Sequence, residues 1–203
     1  FDEEHNYIYG SGELTNLLTT DYCKVMSDNG TYNLCKINVV PSGGEWADEQ
    51  ESVDNPYKML VKWDTTIMGF TDFGEGWVYA VDQSQPVTIT LLDDWVAPNG
   101  KFEYSKGTDS GRLHISSGDD ITIDLNGNDI NRNLSTATSN GQVFRLASGA
   151  KLTITDNSDS GDGKITGGYN SGDGGAFYID YGKLYISGGE ISGNKASKGA
   201  GIY

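Results

Sequence analysis

The feature of this sequence that most constrains its fold is an internal repeat from Gly111 to Tyr203. Each copy has an alternating apolar run, a glycine, a second alternating run, a turn and a short third run. The copies align on Gly118, Gly149 and Gly182, which are 31 and 33 residues apart. Repeats of this length form arrays in which each copy packs against the next one.

Within each copy, apolar and polar residues alternate strictly, which indicates strands rather than helices. The aligned copies give five inward apolar columns: Leu113/Phe144/Phe177/Ile202, Ile115/Leu146/Ile179, Ile121/Leu152/Leu184, Ile123/Ile154/Ile186 and Ile130/Ile165/Ile191. The columns between them are outward: His114/Arg145/Tyr178/Tyr203, Thr122/Thr153/Tyr185 and Asp124/Thr155/Ser187. The pattern predicts an all-β protein, a parallel β-helix with three short strands per coil. The extra residues of the longer coils, Asn133–Asn140 and Asp156–Gly163, are predicted to form loops outside the barrel.

Residues 1–70 differ from the repeat and are interpreted as a separate N-terminal module of unknown type. Two strand-like runs flank Asp28-Asn29-Gly30, which favours a hairpin turn. A turn centred on Asn29 places Cys23 opposite Cys35, because each lies six residues from it. The two cysteines would then form a cross-strand disulfide or remain two independent buried thiols. We expect the disulfide.

Residues 71–110 are predicted to cap the first coil of residues 111–203, because an open coil end would expose apolar side chains. Phe70, Phe73, Trp77 and Val81 have helical spacing and predict one short helix, and residues 86–92 predict a strand. The tryptophans expected to pack in and around this cap are Trp46, Trp63, Trp77 and Trp95.

The chain is strongly acidic, with a formal net charge of −15 over 203 residues. This charge argues against nucleic acid as a partner, since phosphate binding requires clustered Lys and Arg. No apolar run approaches the roughly 20 residues that cross a bilayer, so no membrane insertion is expected. Because the sequence also has no basic and apolar leader, we expect a soluble chain or a mature or excised piece. The repeat stops one strand into a coil, so we expect further coils after Tyr203, or end-to-end self-association.

The repeat motifs also resemble those of a known family. The runs PVTITLLDDWVAPNGKF, ITIDLNGNDINRNL, LTITDNSDSGDGKITGGYNSGDGGAFYI and GEISGNKASKGAGIY are similar to right-handed parallel β-helix repeat proteins of gut Firmicutes. The resemblance covers about residues 75–203 and implies a large secreted or wall-attached, adhesin-type protein, distantly similar in fold to the pectin-lyase superfamily. The expected function is therefore a non-enzymatic, extracellular module that presents a surface to host glycans or proteins. The alternative is a polysaccharide lyase or glycoside hydrolase. A third interpretation is that residues 1–70 are the binding module and the β-helix is only a spacer.

Candidate ligand-binding residues lie in the outward columns of the last coils. Exposed tyrosines can stack on sugars or anchor a protein partner, although they are also common strand residues. The predicted binding residues are Tyr178, Tyr185, Tyr203, Arg145 and His114. No catalytic set is predicted, because hydrolysis needs clustered carboxylates. The carboxylates nearest His114 and Arg145 in the sequence pattern are Asp119, Asp120 and Asp180, and Asp124 stands alone in its column.

The loop from Asp156 to Gly163 is similar to the start of a calcium loop, with oxygen donors at alternate positions and a glycine sixth. It lacks a glutamate at the twelfth position, which is Gly167. The simpler interpretation is a polar excursion between two strands. The candidate calcium ligands are Asp156, Ser158, Asp159 and Asp162, and no other cofactor is expected.

Overall fold

The computed structural model describes residues 57–203 and the backbone of two earlier strands, β1 (Tyr22–Met26) and β2 (Tyr32–Lys36). These two strands are antiparallel, and Cys23 is the direct partner of Cys35. The predicted hairpin and its register are therefore confirmed. The disulfide itself stays a prediction, and Trp46 lies outside the described residues.

The repeat region forms a parallel β-helix of about three turns, as the alternation predicts. Before the repeat come β3 (Met59–Trp63), β4 (Thr66–Phe70), helix α1 (Phe73–Val81), β5 (Val87–Leu91), β6 (Trp95–Val96) and β7 (Thr108–Asp109). The three coils contain β8 (Arg112–Ile115), β9 (Asp120–Asp124), β10 (Ile130–Asn131), β11 (Phe144–Leu146), β12 (Lys151–Thr155), β13 (Lys164–Thr166), β14 (Phe177–Ile179), β15 (Lys183–Ile186) and β16 (Glu190–Ile191). Each strand pairs in parallel with its equivalent in the next coil.

Three sheets run along the β-helix, in the orders β7-β8-β11-β14, β4-β3-β5-β9-β12-β15 and β6-β10-β13-β16. The registers confirm all five inward columns, because each predicted column is a run of direct strand partners or, for Ile202, a bridge to Phe177. Phe144 and Phe177 stack with ring centroids 5.2 Å apart, which continues the column as an aromatic ladder. The two loops predicted outside the barrel follow β10 and β12.

The first coil is covered by α1 and by two antiparallel strands. The helix begins after Asp72, whose side chain accepts a hydrogen bond from the backbone N–H of Glu75, a common N-cap arrangement. Trp77 is fully buried, and its ring packs edge-on against Trp95 at 5.5 Å. The predicted short helix and its capping position are confirmed, but Phe70, which the predicted helical spacing includes, is the last residue of β4, and the helix begins at Phe73.

Strands β3 and β4 belong to the segment that the sequence separates from the cap. In the structure, β3 pairs antiparallel with β5, and β5 pairs in parallel with β9 of the β-helix. Met59 and Val61 of β3 are fully buried in the same core as the repeat. Residues 57–70 thus extend the longest sheet of the solenoid, before the predicted boundary at residue 71.

The burial of the inward columns decreases along the chain. Ile123 and Ile154 are buried, whereas their partner Ile186 in β15 is 42% exposed, and Ile202 is 44% exposed. Each inner coil is covered on both sides by its neighbours, which explains the difference. The expectation of further coils or of end-to-end stacking stays a prediction.

Candidate ligand-binding groove

A polar groove of about 640 Å³ runs beside the outer face of the sheet that contains β8, β11 and β14. The strands contribute Arg112, Arg145 and Tyr178 to its lining. The turns that follow β10 and β13 contribute amides, including Asn140 and Asn170. Its lining is mostly polar, so we consider it as a site for a polar ligand rather than for an apolar one.

A tight hairpin sets one end of the groove. Ser110 and Gly111 both have positive φ angles, 53° and 80°, as a two-residue turn between antiparallel strands requires. The turn makes Asp109 of β7 the direct partner of Arg112 of β8. The carboxylate and the guanidinium therefore meet at one edge of the groove.

Arg112 is held rigidly in the wall of the groove. Its Nη2 donates to Asp109 Oδ2 at 2.8 Å, and its Nη1 donates to Gln142 Oε1 at 2.9 Å. Gln142 in turn donates through Nε2 to the carbonyl of Asp173 at 2.9 Å. The Arg112 side chain is only 9% exposed, and its Nε has no hydrogen-bond partner among the described residues. The hydrogen bond from Arg112 lowers the pKa of Asp109 below its usual value.

Arg145 lies in β11, the strand next to the β8 strand of Arg112, and its side chain has weaker contacts. Its two terminal nitrogens lie 3.5 Å from Asp109 Oδ2 and 3.4 Å from Asp180 Oδ2. These distances are at the long limit of a hydrogen bond, whereas charge-assisted pairs are usually about 2.7–2.9 Å. The side chain is 28% exposed. Arg145 is therefore the guanidinium that a ligand in the groove can reach most easily.

Arg132 lies directly behind the groove and is 1% exposed. Its three nitrogens donate to the carbonyls of Gly100, Gln142 and Ser110, and it has no ion-pair partner in residues 57–203. Burial, and then repulsion by Arg112, lowers its pKa to about 10, which leaves it charged at neutral pH. All three arginines of the chain therefore lie in or directly behind this groove.

The predicted binding residues are divided by the structure. Arg145 and Tyr178 both line the groove and are direct partners in β11 and β14. Tyr203 extends this column, because its ring stacks on Tyr178 at 5.8 Å with an interplanar angle of 15°. Tyr185 lies in β15 on another sheet and is 51% exposed.

His114 is the direct partner of Arg145 and is half-buried. Its Nε2 is buried without a hydrogen-bond partner in the described chain. Burial, followed by repulsion from Arg145, lowers the pKa of the imidazole. The neutral, half-buried ring lies beside Arg145 and is not among the residues that line the groove.

The three aspartates that the sequence pattern places nearest His114 and Arg145 have different partners in the structure. Asp119 accepts from the backbone N–H of Ser116, Asp120 pairs with Lys151, and Asp180 contacts Arg145. Asp124, expected on an outward face, is 9% exposed, because Asn157 of the following loop donates to both of its oxygens. Each of these four carboxylates thus has a different partner, and none of these contacts joins two of them.

The Asp156–Gly163 loop is organised by Asp156. Its Oδ1 accepts from Ser158 Oγ and from the backbone N–H groups of Ser158 and Gly127, and its Oδ2 accepts from the backbone N–H of Gly163. Asp162 accepts from Ser160. Within residues 57–203, no group of three or more His, Cys, Asp or Glu side chains could hold a metal ion. The hydrogen bonds of Asp156 give it a role in shaping the loop.

The sequence contained a signal for the groove that the column analysis missed. Arg112, Arg132 and Arg145 fall within 34 consecutive residues, whereas all other cations of the chain are lysines. Arginine differs from lysine in offering a planar, forked set of donors, so this restriction is the sequence signal that distinguishes the groove region. The helix of the described chain is too short and too polar to cross a bilayer. Comparison with protein families, with curated proteins and with solved structures gives no match for this chain.

Proposed function

We propose that this chain is a non-enzymatic, extracellular β-helix module of a surface protein that binds a host glycan or protein through the groove lined by Arg112, Arg145 and Tyr178. The observation that carries the proposal is the concentration of all three arginines around one groove of a chain with net charge −15. A solvated surface has no need of buried guanidinium groups, which are costly to remove from water. The β-helix would serve as a rigid support that keeps the groove residues of neighbouring strands at fixed positions.

The shape of the groove also supports binding. Arg112, Gln142 and the carbonyl of Asp173 form a connected chain of hydrogen bonds, so the wall is already organised. Arg145 and the Tyr178–Tyr203 stack provide more accessible groups beside that wall. A fixed frame with a few reachable polar groups is typical of ligand sites. The extracellular location rests on the resemblance of the repeats and on the predicted Cys23–Cys35 disulfide.

The proposal is tested by screening the full chain against arrays of glycans and of extracellular host proteins. Any ligand found is then measured against Arg145→Gln and Tyr178→Ala, with Tyr185→Ala as the matched control. Tyr185 is an exposed strand tyrosine on another sheet, so its loss should leave the affinity unchanged. We expect the two groove variants to weaken binding at least about tenfold, which is typical of central contact residues. Ligands that bind all variants equally would place binding elsewhere and contradict the proposal.

The enzymatic alternative makes a different prediction in the same screen. A lyase or hydrolase would produce new chain ends from a polysaccharide that it binds, whereas a binding module would leave the polysaccharide intact. We expect no new reducing ends after prolonged incubation with each glycan that binds. Release of shortened products that is lost in Arg145→Gln would instead favour the enzyme.

A further inference from the structure

We propose that the group recognised by this groove is an anionic substituent of a saccharide, a carboxylate or a sulfate ester, and that Arg145 is the residue that binds it. This inference rests on the proposed function, since it specifies the ligand of the same groove.

The cations that line the groove are arginines. The groove has two arginines in its lining and no lysine, although the chain has many more lysines than arginines. A guanidinium presents parallel N–H donors that match the oxygens of a carboxylate or a sulfate, which an ammonium group cannot do. The lining also contains Asp109 and Asp173, which balance the two arginines in charge, so the preference for an anion is assigned to the forked guanidinium donors and not to an excess of positive charge.

Most hydrogen-bond donors of Arg145 remain unused. A guanidinium carries five N–H groups. The Arg145 side chain has only two contacts in the described chain, and both are at the long limit. Nε of the nine-tenths-buried Arg112 also has no partner there, but that atom is itself buried. Both side chains lie within hydrogen-bond range of the same Asp109 oxygen, so their guanidinium groups are close together. An anion entering the groove would replace the long contacts of Arg145 with shorter ones.

The size and lining of the groove favour a saccharide over a protein as the carrier of that anion. A protein interface usually has an apolar centre. The groove has a volume of about 640 Å³, within the range of roughly 300–1,000 Å³ that is common for small-ligand sites, and amides and hydroxyls contribute to its lining, among them Asn140, Asn170 and Ser139. These groups suit sugar hydroxyls, and the ring of Tyr178 provides a surface against which a sugar ring can lie.

The test uses three polymers of equal length that share one backbone: dextran, carboxymethyl-dextran and dextran sulfate. The full chain is titrated with each by calorimetry at low and at physiological salt. We expect at least one charged polymer to bind about tenfold or more tightly than dextran, and the two charged polymers separate the carboxylate from the sulfate. Arg145→Gln should reduce that binding at least about tenfold, as expected for loss of a charge-assisted contact.

Three further variants separate recognition from general electrostatics. Asp180→Asn removes a carboxylate that competes for Arg145, so it should tighten binding of the charged polymer by about two- to fivefold. Asp120→Asn removes the same charge from the Lys151 pair outside the groove and should not tighten binding, whereas general electrostatics would predict equal tightening in both variants. Lys151→Gln removes the same charge as Arg145→Gln from that pair and should change nothing.

The inference is overturned if dextran binds as tightly as the charged polymers, or if Arg145→Gln binds them like the parent chain. It is also overturned if poly-L-glutamate binds and none of the dextrans does, because the carrier would then be a peptide. A third outcome also overturns this inference: none of the three dextrans binds, but a neutral ligand from the array does, and its binding is weakened by Tyr178→Ala. The proposed function would then still hold. A ligand insensitive to every groove variant removes the proposed function itself.

Discussion

At the scale of single residues, Arg132 is the side chain on which the groove depends most. Its guanidinium joins three backbone carbonyls from three separate segments, at Gly100, Ser110 and Gln142. Two of those residues line the groove, so Arg132 connects the loop before the repeat to the wall of the site. A buried cation that is satisfied only by carbonyls stabilises a structure when all of its contacts are kept.

Replacement of Arg132 should therefore be strongly destabilising. Arg132→Gln leaves buried carbonyls without donors, and we expect the free energy of unfolding to fall by about 3 kcal/mol. The matched control is Lys101→Gln, because Lys101 pairs with Glu103 on the surface, where an ion pair contributes less than about 1 kcal/mol. Urea unfolding of both variants measures the difference. Equal stabilities of the two variants would contradict the role assigned to Arg132.

Asp109 should make part of the stability of the groove depend on pH. Its pKa in the folded chain is lowered by Arg112, below the unfolded value of about 3.9. Its contribution is therefore complete above about pH 4 and is lost as the pH falls through the lower, folded pKa. Asp109→Asn should be less stable than the parent chain at pH 7, and the difference should shrink below about pH 4.

Urea unfolding of both chains between about pH 3 and pH 7 measures this effect. Glu103→Gln is the control, since Glu103 is exposed and its pairing distance to Lys101 is 3.6 Å. Its stability difference should be small at every pH. A difference for Asp109→Asn that stays constant from pH 7 to pH 3 would show that Arg112 does not hold the ionised carboxylate.

At the scale of elements, the coils stack closely at their glycine corners. A Cβ on Gly175 would lie 2.1 Å from the carbonyl oxygen of Ala200 in the next coil, which no side chain can tolerate without a backbone shift. Gly172, in the preceding turn, has only Asn170 Nδ2 at 3.6 Å. A substitution at Gly175 therefore tests the close stacking of the coils, and the same substitution at Gly172 tests only the turn.

We expect Gly175→Ala to lower the free energy of unfolding by about 2 kcal/mol, because overpacking against backbone forces the two coils apart. Gly172→Ala should cost less than about 0.5 kcal/mol, since the position has room for a methyl group. Chemical denaturation gives both values. If Gly172→Ala proved the more destabilising change, the stacking of the two coils would differ from the arrangement described.

The loop from Asp156 to Gly163 should be stabilised by Asp156 and not by calcium. Asp156→Ala removes an acceptor from three backbone N–H groups and a hydroxyl, and should cost about 2 kcal/mol. Asp159→Ala changes an exposed residue of the same loop and should have little effect. Thermal unfolding of the parent chain should have the same midpoint in EDTA and in millimolar calcium. A midpoint that rises with calcium, and no longer rises in Asp159→Ala, would restore the calcium site.

The β-helix could be predicted from the sequence because apolar residues and glycines recur at regular spacings. Alternation assigns each residue to the inside or the outside, and the aligned glycines set the register of Leu113, Phe144 and Phe177. The cap helix was also predictable, since Phe73 and Trp77 have helical spacing. In each case, a local pattern and the packing of the core favour the same structure.

The groove is formed by residues whose positions do not repeat from one coil to the next. Asp109 lies in the antiparallel hairpin before the repeat, and Asn140 and Asn170 lie in turns whose lengths differ between coils. No column of the repeat places these residues beside Arg145. Tyr185 resembles Tyr178 in sequence, yet the corner between β14 and β15 carries it to another sheet. The binding set therefore required three-dimensional structure, although the clustering of arginines was visible in the sequence.

At the scale of the whole molecule, the chain combines an acidic surface with one region of concentrated arginine. The charge of −15 disfavours non-specific association with anions. The β-helix fixes the spacing between rungs, so Arg145 and Tyr178 are presented on a rigid support. The account predicts that recognition is local to the groove and does not involve the faces of the other sheets.

The most direct test of this account is NMR observation of the arginine side chains. The chain has only three arginines, so three Nε–Hε signals report on the groove and its support. During titration with carboxymethyl-dextran or dextran sulfate, we expect the signals of Arg145 and Arg112 to shift in a saturable manner, while the buried Arg132 signal and the amides of Lys183–Ile186 move little. Shifts confined to Lys183–Ile186, with the Arg145 signal unmoved at saturation, would contradict the assignment of this groove as the binding site.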